Sequence, residues 1–519
     1  MRFESIYVSC RSAAFESDAA TPWFAPDPFE VKLDGTTVLT GVTKNVFSLF
    51  GLEPARDYRV EAAGCTLAFR TRPETALLDV RAYGAKGDGA TDDTAAIQKA
   101  IDACPAGGTV RIPEGVYESN PIFLKSHLTL VLDKGAVLHG LPDRSQYPIL
   151  PAYAKDRTGK EALLSGWEGG VFPTNASLLT ALFVTDAHIV GEGIVDGGAS
   201  RSTWWTDPKT PVDGAYRAKG IYFSQCVRVG VHGILLRDTP SWSLHPFFCK
   251  QVDYIDMRVE NPKDSPNTDG CDPDSCDGVR ILGVDFSVGD DCIAIKSGKF
   301  ELGMTYRTPS ENIAIRNCRM ADGHGGVVLG SEMSGGIKNL DVKNCLFVGT
   351  DRGLRIKTRR GRGSSAVIDG VTFENIRMDG VLTPFVINMY YFCDADGKTP
   401  YVWSKDPLPV DERTPRLGRF TFKDVVCTGA RVAAGFFYGL PEQPIGSVVL
   451  ERVSVAFSTD AEAGFPAMMS HLEPMKKHGL FFRFVDSVVM KDVFIAGQDG
   501  PEAVFHDVAT IMTDRAMDI

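Results

Sequence analysis

The sequence predicts an all-β chain, mainly a right-handed parallel β-helix, closed at its start by a capping helix and preceded by a small β-sandwich. Three observations predict it. Short β-type runs such as Val279 to Val284, Ile313 to Ile315, Ile337 to Val342 and Val367 to Phe373 recur at intervals of roughly 24 to 34 residues, a self-similar period that signals a solenoid. One helix-like segment stands just before those runs, where a solenoid's open apolar end needs cover. Residues 1–75 differ in texture from residues 76–519 and read as a separate unit.

In that first unit Phe29 to Leu33 alternates, Asp34-Gly35 is a hairpin-turn signal, and Asn45 to Phe50 is a further strand. The order Leu52-x-Pro54-x-x-x-Tyr58 resembles the tyrosine corner of fibronectin type III domains, whose ring caps a sandwich core while its hydroxyl bonds back to the loop. Such a unit either covers the solenoid or meets substrate directly. Thr71 to Thr75 is the expected boundary.

Tyr83 to Thr94 then leads into the helix, with Thr91 as its cap, Asp92 and Asp93 at the positive end of its dipole, and Ile97, Ala100 and Ile101 on one face. Pro105 and Gly107-Gly108 stop it, and the coils begin at Gly108 to Pro113, Leu128 to Leu132 and Ile189 to Gly198. Residues 141–180 and 391–419 lack the coil pattern and are expected to be long excursions, which in a compact fold usually serve function. Trp204-Trp205 suits either a sugar face or a core edge.

The chain has 519 residues, long enough for one large and one small unit, and carries 66 Asp and Glu against 55 Lys and Arg, a net charge of −11. An acidic chain offers no broad basic surface for nucleic acid. There is no apolar run of 18 residues, so no transmembrane helix is expected. The segment after Met1 has no apolar core followed by a small-residue cleavage site, and a cytoplasmic location is expected. Of twelve cysteines, only Cys271 and Cys276 are close enough in sequence to suggest a bridge; Cys226, Cys249, Cys292, Cys318, Cys345 and Cys427 fall in apolar runs and read as buried thiols. No zinc spacing is present, and neither metal nor cofactor is expected.

Four polar islands punctuate the coils: Asn267-Thr-Asp269-Gly270, Gly289-Asp290-Asp291, Gly323-His324-Gly325-Gly326 and Arg355-Ile-Lys357. Asp269 to Asp291 is 22 residues, Asp291 to His324 is 33, and His324 to Lys357 is 33. With one island per coil, residues a period apart stack at the ~4.8 Å strand spacing, a ladder of carboxylates, imidazole and ammonium up one wall. In this order the islands resemble the polygalacturonases of glycoside hydrolase family 28, and the resemblance runs from about residue 77 onward. The helix at 94 resembles the N-terminal cap of pectin-degrading β-helices.

Glycoside hydrolysis needs one protonated carboxyl and one ionised carboxylate, and grouped Asp residues supply both because like charges a few ångströms apart cannot all ionise. The resemblance implies Asp290 as general acid, Asp269 and Asp291 as the pair that holds and deprotonates water, and inversion at the anomeric carbon. Coil stacking alone puts two carboxylates at ~5 Å, which reads as retaining. Adjacent strand residues face opposite ways, so Asp290 and Asp291 share a site only if the backbone turns, which Gly289 permits. His324 is placed to tune the acid. Arg355 and Lys357 alternate about Ile356 and suit a galacturonate carboxylate. Arg359, Arg360 and Arg362 suit either the same basic patch or a solubilising loop. Asn267, Lys296, His245 and one of Tyr390 and Tyr391 complete the candidate substrate contacts, the tyrosine by resemblance.

The expected substrate is a galacturonate polymer or oligomer. The excursions, the separate sandwich and the stretch Pro384 to Phe392, which resembles bacterial exo-acting enzymes, point to cutting at chain ends. Endo-acting cleavage, rhamnogalacturonan hydrolysis, a calcium-dependent pectate lyase on the same fold and a non-catalytic carbohydrate-binding β-helix are the alternatives.

Overall fold

The structure is a computed structural model and describes residues 2–156 and 158–516. Its large unit is a parallel β-helix wound from three stacks of strands. The first stack runs Gly108–Ile112, Leu128–Leu132, Thr185–Gly191, Val227–His232, Lys250–Ile255, Asp277–Leu282, Ser310–Arg316, Ile337–Lys343 and on to Ala503–Thr513. Its register builds one apolar column: Val110, Leu130, Ile189, Val231, Tyr254, Ile281, Ile315, Val342, Phe373 and Phe422 each lie beside the next. All ten are buried. Alternation turns every second side chain inward, and repetition of that phase in each coil makes the core continuous. The expected all-β parallel β-helix is therefore the fold observed.

Thiols add a second column, since Cys226 N–H donates to Cys249 Sγ and Cys249 N–H to Cys276 Sγ, both at 3.4 Å. Cys271 and Cys276 are each buried and unbridged. The cap helix Thr94–Ala103 places Ile97, Ala100 and Ile101 in the core at the solenoid's start. Its cap lies later than Thr91, which belongs to the strand Asp88–Asp92. Asp93 is the N-cap, but its carboxylate accepts from Lys86 N–H and Gly87 N–H at 2.7 and 2.9 Å, tying the preceding loop instead.

Residues 3–70 form seven strands in two antiparallel sheets, one of Phe3–Val8, Ser12–Ser17 and Val46–Phe50, the other of Phe24–Leu33, Thr36–Lys44, Asp57–Ala62 and Cys65–Arg70. Tyr58 is buried and its hydroxyl accepts from Glu53 N–H at 2.8 Å. This unit docks on the solenoid flank. His232 is held between Ser12 Oγ at 3.1 Å and Ser48 Oγ at 2.8 Å, and Glu16 accepts from Arg316 and Asn317. Among the described residues none of 2–70 lines the cleft described below, so the sandwich covers a flank and takes no part in closing the groove.

The second stack runs Gly115–Ser119, Ala136–Gly140, Ile194–Asp196, Leu235–Arg237 and Arg258–Glu260, and the third faces the cleft. Ile221–Ser224 and Leu244–Phe247 continue through bridges at Cys271 into Ile293–Ile295, Val327–Gly330, Arg352–Lys357 and Thr383–Asn388. The excursion over 141–180 lies on its early strands, burying Tyr222 and Phe247 beneath Leu150, Leu163 and Leu164. Among the described residues no helix is long and apolar enough to cross a membrane.

Candidate active site

The first three islands lie just before the cleft-facing strands or bridges, and Arg355-Ile-Lys357 closes the strand Arg352–Lys357. Gly270 N–H donates to Asp291 O at 2.9 Å, and His324 N–H to Asp290 O at 3.1 Å, so the Asp pair lies between the Asp269 coil and the His324 coil. Gly289 serves the turn by its bare surface: a Cβ there would meet Ser265 O at 2.4 Å. One oxygen from each of Asp269, Asp290 and Asp291 lies within 4.8 Å of the other two. Register departs from the expected ladder in one place. Lys357 lies beside Gly330, and Arg355 beside Val328, rather than over His324. They reach the carboxylates through the length of their side chains.

Their target is Asp291, whose Oδ2 accepts from Lys357 Nζ at 2.7 Å and whose Oδ1 accepts from Arg355 Nη1 at 3.2 Å. Burial opposes the charge on Asp291, but the Lys357 ammonium and the Arg355 guanidinium outweigh it and hold the carboxyl well below its usual range. Asp269 goes the other way: burial, then the nearby Asp272 and Asp290, push it well above the carboxylate range despite Lys296. Asp290 is the most accessible of the three, its side chain 24% exposed against 5% for Asp269 and 2% for Asp291. His324 Nδ1 stands 3.3 Å from Asp290 Oδ1, and that hydrogen bond raises the imidazole above its ordinary value against the opposing effect of burial. The cleft thus sets two carboxyls a few ångströms apart whose surroundings push their proton affinities in opposite directions, the kind of division that glycoside hydrolysis uses.

A divalent cation could also be gripped by three such oxygens. Lys357 and Arg355 already sit on Asp291, and Lys296 Nζ is 3.8 Å from Asp269 Oδ2. Positive charge at that density opposes a further cation and favours anionic or hydroxyl-rich ligands.

The other predicted contacts divide. Asn267 lines the cleft, its Oδ1 accepting from the buried Arg217 at 2.8 Å. Lys296 lines it from below, buried, with Asp272 at 3.2 Å, Asp269 and Glu332 each at 3.8 Å and the Trp242 ring at 4.7 Å. Tyr391 lines the cleft, with Lys357 Nζ 5.8 Å from its ring. Tyr390 does not: it is fully buried, packed on Tyr438 with Lys405 over its ring, because the next residue of the strand end turns the opposite way. His245 does not reach the cleft either. It is 1% exposed and walled in by Tyr222, Trp242 and Phe247, and burial drives its imidazole well below the ordinary value. Trp204 and Trp205 are likewise core, packed with Tyr147 and Ala218. Arg359, Arg360 and Arg362 are buried and committed to Asp394, Asp396 and Glu442, so the solubilising reading fails and they anchor the 391–419 excursion.

Sequence reasoning missed Glu168, Lys209, Lys299, Glu332, Cys393, Asp394 and Met468, all lining the cleft. Most come from excursions and turns that share no period with the coils. Glu332 follows the Val327–Gly330 strand, and burial of its carboxyl is outweighed by Lys296, Lys299 and Lys357, which lower it to about 2. The two excursions meet at Lys299, whose N–H donates to Gly169 O at 2.9 Å and whose Nζ pairs with Asp394 at 3.2 Å. Gly169 has φ +76°, and a Cβ there would meet Glu332 Cγ at 2.6 Å. On the coil before Asp269, Trp167 of the first excursion stacks on Trp242 at 5.3 Å and 6°, and both are buried. The cleft-lining residues enclose a cavity of about 260 Å³.

The comparisons with known proteins agree with this site. The family described as Glycosyl hydrolases family 28 matches residues 172–402, and the one described as Rhamnogalacturonase A/epimerase, pectate lyase-like matches residues 77–139. A probable polygalacturonase of Vitis vinifera is 29% identical over 73% of this chain and 74% of its own. The exo-poly-alpha-D-galacturonosidase of Dickeya chrysanthemi is 28% identical over 80% of this chain and 71% of its own. The solved hyperthermoactive exopolygalacturonase from Thermotoga maritima superimposes with a TM-score of 0.66 at 25% identity, covering 81% of this chain and 92% of that one. With the three carboxylates, the imidazole and the basic pair brought together on a parallel β-helix, residues 172–402 belong to glycoside hydrolase family 28, and the chain is a glycoside hydrolase of the polygalacturonase kind.

Proposed function

We propose that the chain removes short units from the ends of galacturonan chains or oligomers by hydrolysis of α-1,4 bonds. The observation that carries the exo mode is the stack of Trp167 on Trp242, read as a roof over the path ahead of Asp269, with the excursions joined at Lys299 to wall one side. A 260 Å³ cavity lies just under the ~300–1,000 Å³ of small-molecule pockets, a size for one or two sugar units rather than a polymer lying across. The exo-acting names among the relatives agree with it.

In this reading Asp290 protonates the glycosidic oxygen at the cleft mouth, with the His324 imidazolium beside it to restore the proton. The ionised Asp291 takes the proton of a water that the protonated Asp269 helps to hold, and attack with inversion follows. Asp269 as acid is a second assignment, favoured by its raised affinity for a proton; its burial beneath Asp290 weighs against it. Tyr391 and Asn267 complete the substrate surface, and the Arg355 and Lys357 pair lines it while holding Asp291. The N-terminal unit is read as a fibronectin type III-like module that stiffens the flank, a role its Tyr58 hydrogen bond and its docking on Arg316 support. Work in a reducing compartment on imported oligomers completes the reading, and unbridged thiols such as Cys226, Cys249, Cys276 and the exposed Cys393 are compatible with it.

The test is the product profile from polygalacturonate without added calcium. Saturated mono- or digalacturonate from the earliest time points supports the reading, whereas mixed oligomers make the enzyme endo-acting. An ultraviolet-absorbing unsaturated uronate abolished by chelator makes it a lyase.

A further inference from the structure

A uronate chain brings one negative charge per sugar into a cleft whose central cations are already engaged. Lys357 and Arg355 are 12% and 9% exposed, and both hold Asp291 ionised. If either swung fully to a substrate carboxylate, that ionisation would weaken. Lys296 is buried among Asp269, Asp272 and Glu332. Two further lysines in the cleft differ, because their partners can release them cheaply.

Lys299 pairs with Asp394 at 3.2 Å, but Asp394 also binds Arg362 at 2.6 Å and Arg359 at 3.3 Å. It keeps two guanidinium partners when Lys299 leaves, so no buried charge is stranded. Lys209 pairs with Glu168 at 3.0 Å, the side chains 66% and 31% exposed, the kind of pair that contributes little and exchanges readily. Both lysines line the cavity, and they come from segments outside the coil strands. Lys299 opens the short helix Phe300–Tyr306 as its N-cap, and Lys209 lies in the loop after Trp205.

We propose that Lys299 and Lys209 are exchangeable carboxylate receptors: each leaves its resting acid, Asp394 or Glu168, to bind the carboxylate of a galacturonate unit bound in the walled cleft. This rests on the galacturonan reading above and specifies how charge on the sugar is read. It makes the enzyme selective for free acid over methyl-esterified ends, because an ester carries no charge with which to displace Asp394 or Glu168.

The experiment uses the full chain and trigalacturonate, as the free acid and as its fully methyl-esterified form, with Lys299→Met, Lys209→Met and Lys299→Arg. For the free acid each Met variant is expected to raise KM about tenfold with kcat within about twofold, and Lys299→Arg to recover most of the loss. For the ester, wild type and Met variants are expected to share one KM. An equal KM change on both substrates would mean that the lysines only support the wall, and no change on either would mean that they do not meet substrate; both outcomes overturn the proposal. Products are read in the same digests. Mixed oligomers from polymer with the acid-specific KM effect intact would overturn the exo mode alone.

Discussion

Lys357 Nζ lies 2.7 Å from Asp291 Oδ2, and that one contact, with Arg355 on the opposite oxygen, keeps a buried carboxylate ionised. A group whose folded value is depressed stays ionised until pH falls through that low value, so in the native enzyme Asp291 is ionised across the working range. Lys357→Met removes its largest opposing charge and lets burial raise it. The expected result is an acid limb of kcat/KM displaced upward by about one pH unit or more, with kcat at pH 5 reduced ~10- to 100-fold. A variant that changed only KM at every pH would show that Lys357 serves substrate alone.

Asp290→Asn removes the most accessible carboxyl of the three. The expected loss in kcat is on the order of 10²–10⁴ with little change in KM, the size of a general-acid contribution. If Asp290→Asn retains turnover and Asp269→Asn does not, the acid is Asp269.

His324 gives the opposite limb. Its hydrogen bond to Asp290 raises it above the ordinary imidazole value, so the imidazolium is fully present well below that ordinary value and is lost as pH rises through the higher folded one. Activity should therefore persist through the ordinary imidazole range and fall on the alkaline side. His324→Gln should lower the plateau ~10- to 100-fold and flatten that fall. An unchanged alkaline limb in the variant would assign it to another group.

Much of this was legible because a solenoid writes its third dimension into a period. One inward position repeats as Ile281, Ile315 and Val342, so the column and the convergence of Asp269, Asp290, Asp291 and His324 followed from spacing and motif order. What spacing could not give was reach and direction. Lys357 is out of register with His324 yet arrives at Asp291, and the doublet Tyr390-Tyr391 divides between core and cleft only when the strand's end is seen. His245 carries a cleft-like motif but sits under the 141–180 excursion, and the path of an excursion has no periodic signal to read.

On this reading Trp167 is the roof. Its ring stacks on Trp242 and on Tyr216, each at 5.3 Å. Trp167→Ala should open the groove ahead of Asp269 without touching the carboxylates, and a buried Trp truncation costs ~3–5 kcal/mol of local packing. Longer products and a higher share of internal cuts are expected from polygalacturonate. A product profile identical to wild type, in a variant whose thermal unfolding confirms a folded chain, would show that the groove is blocked elsewhere.

A cleft that holds a chain end, as proposed, reveals itself in the fall of polygalacturonate viscosity plotted against glycosidic bonds cut. Viscosity is expected to fall slowly while mono- or digalacturonate accumulates from the first bonds broken. A halving of viscosity after only a few per cent of bonds are cut, as internal cleavage produces, would contradict that proposal.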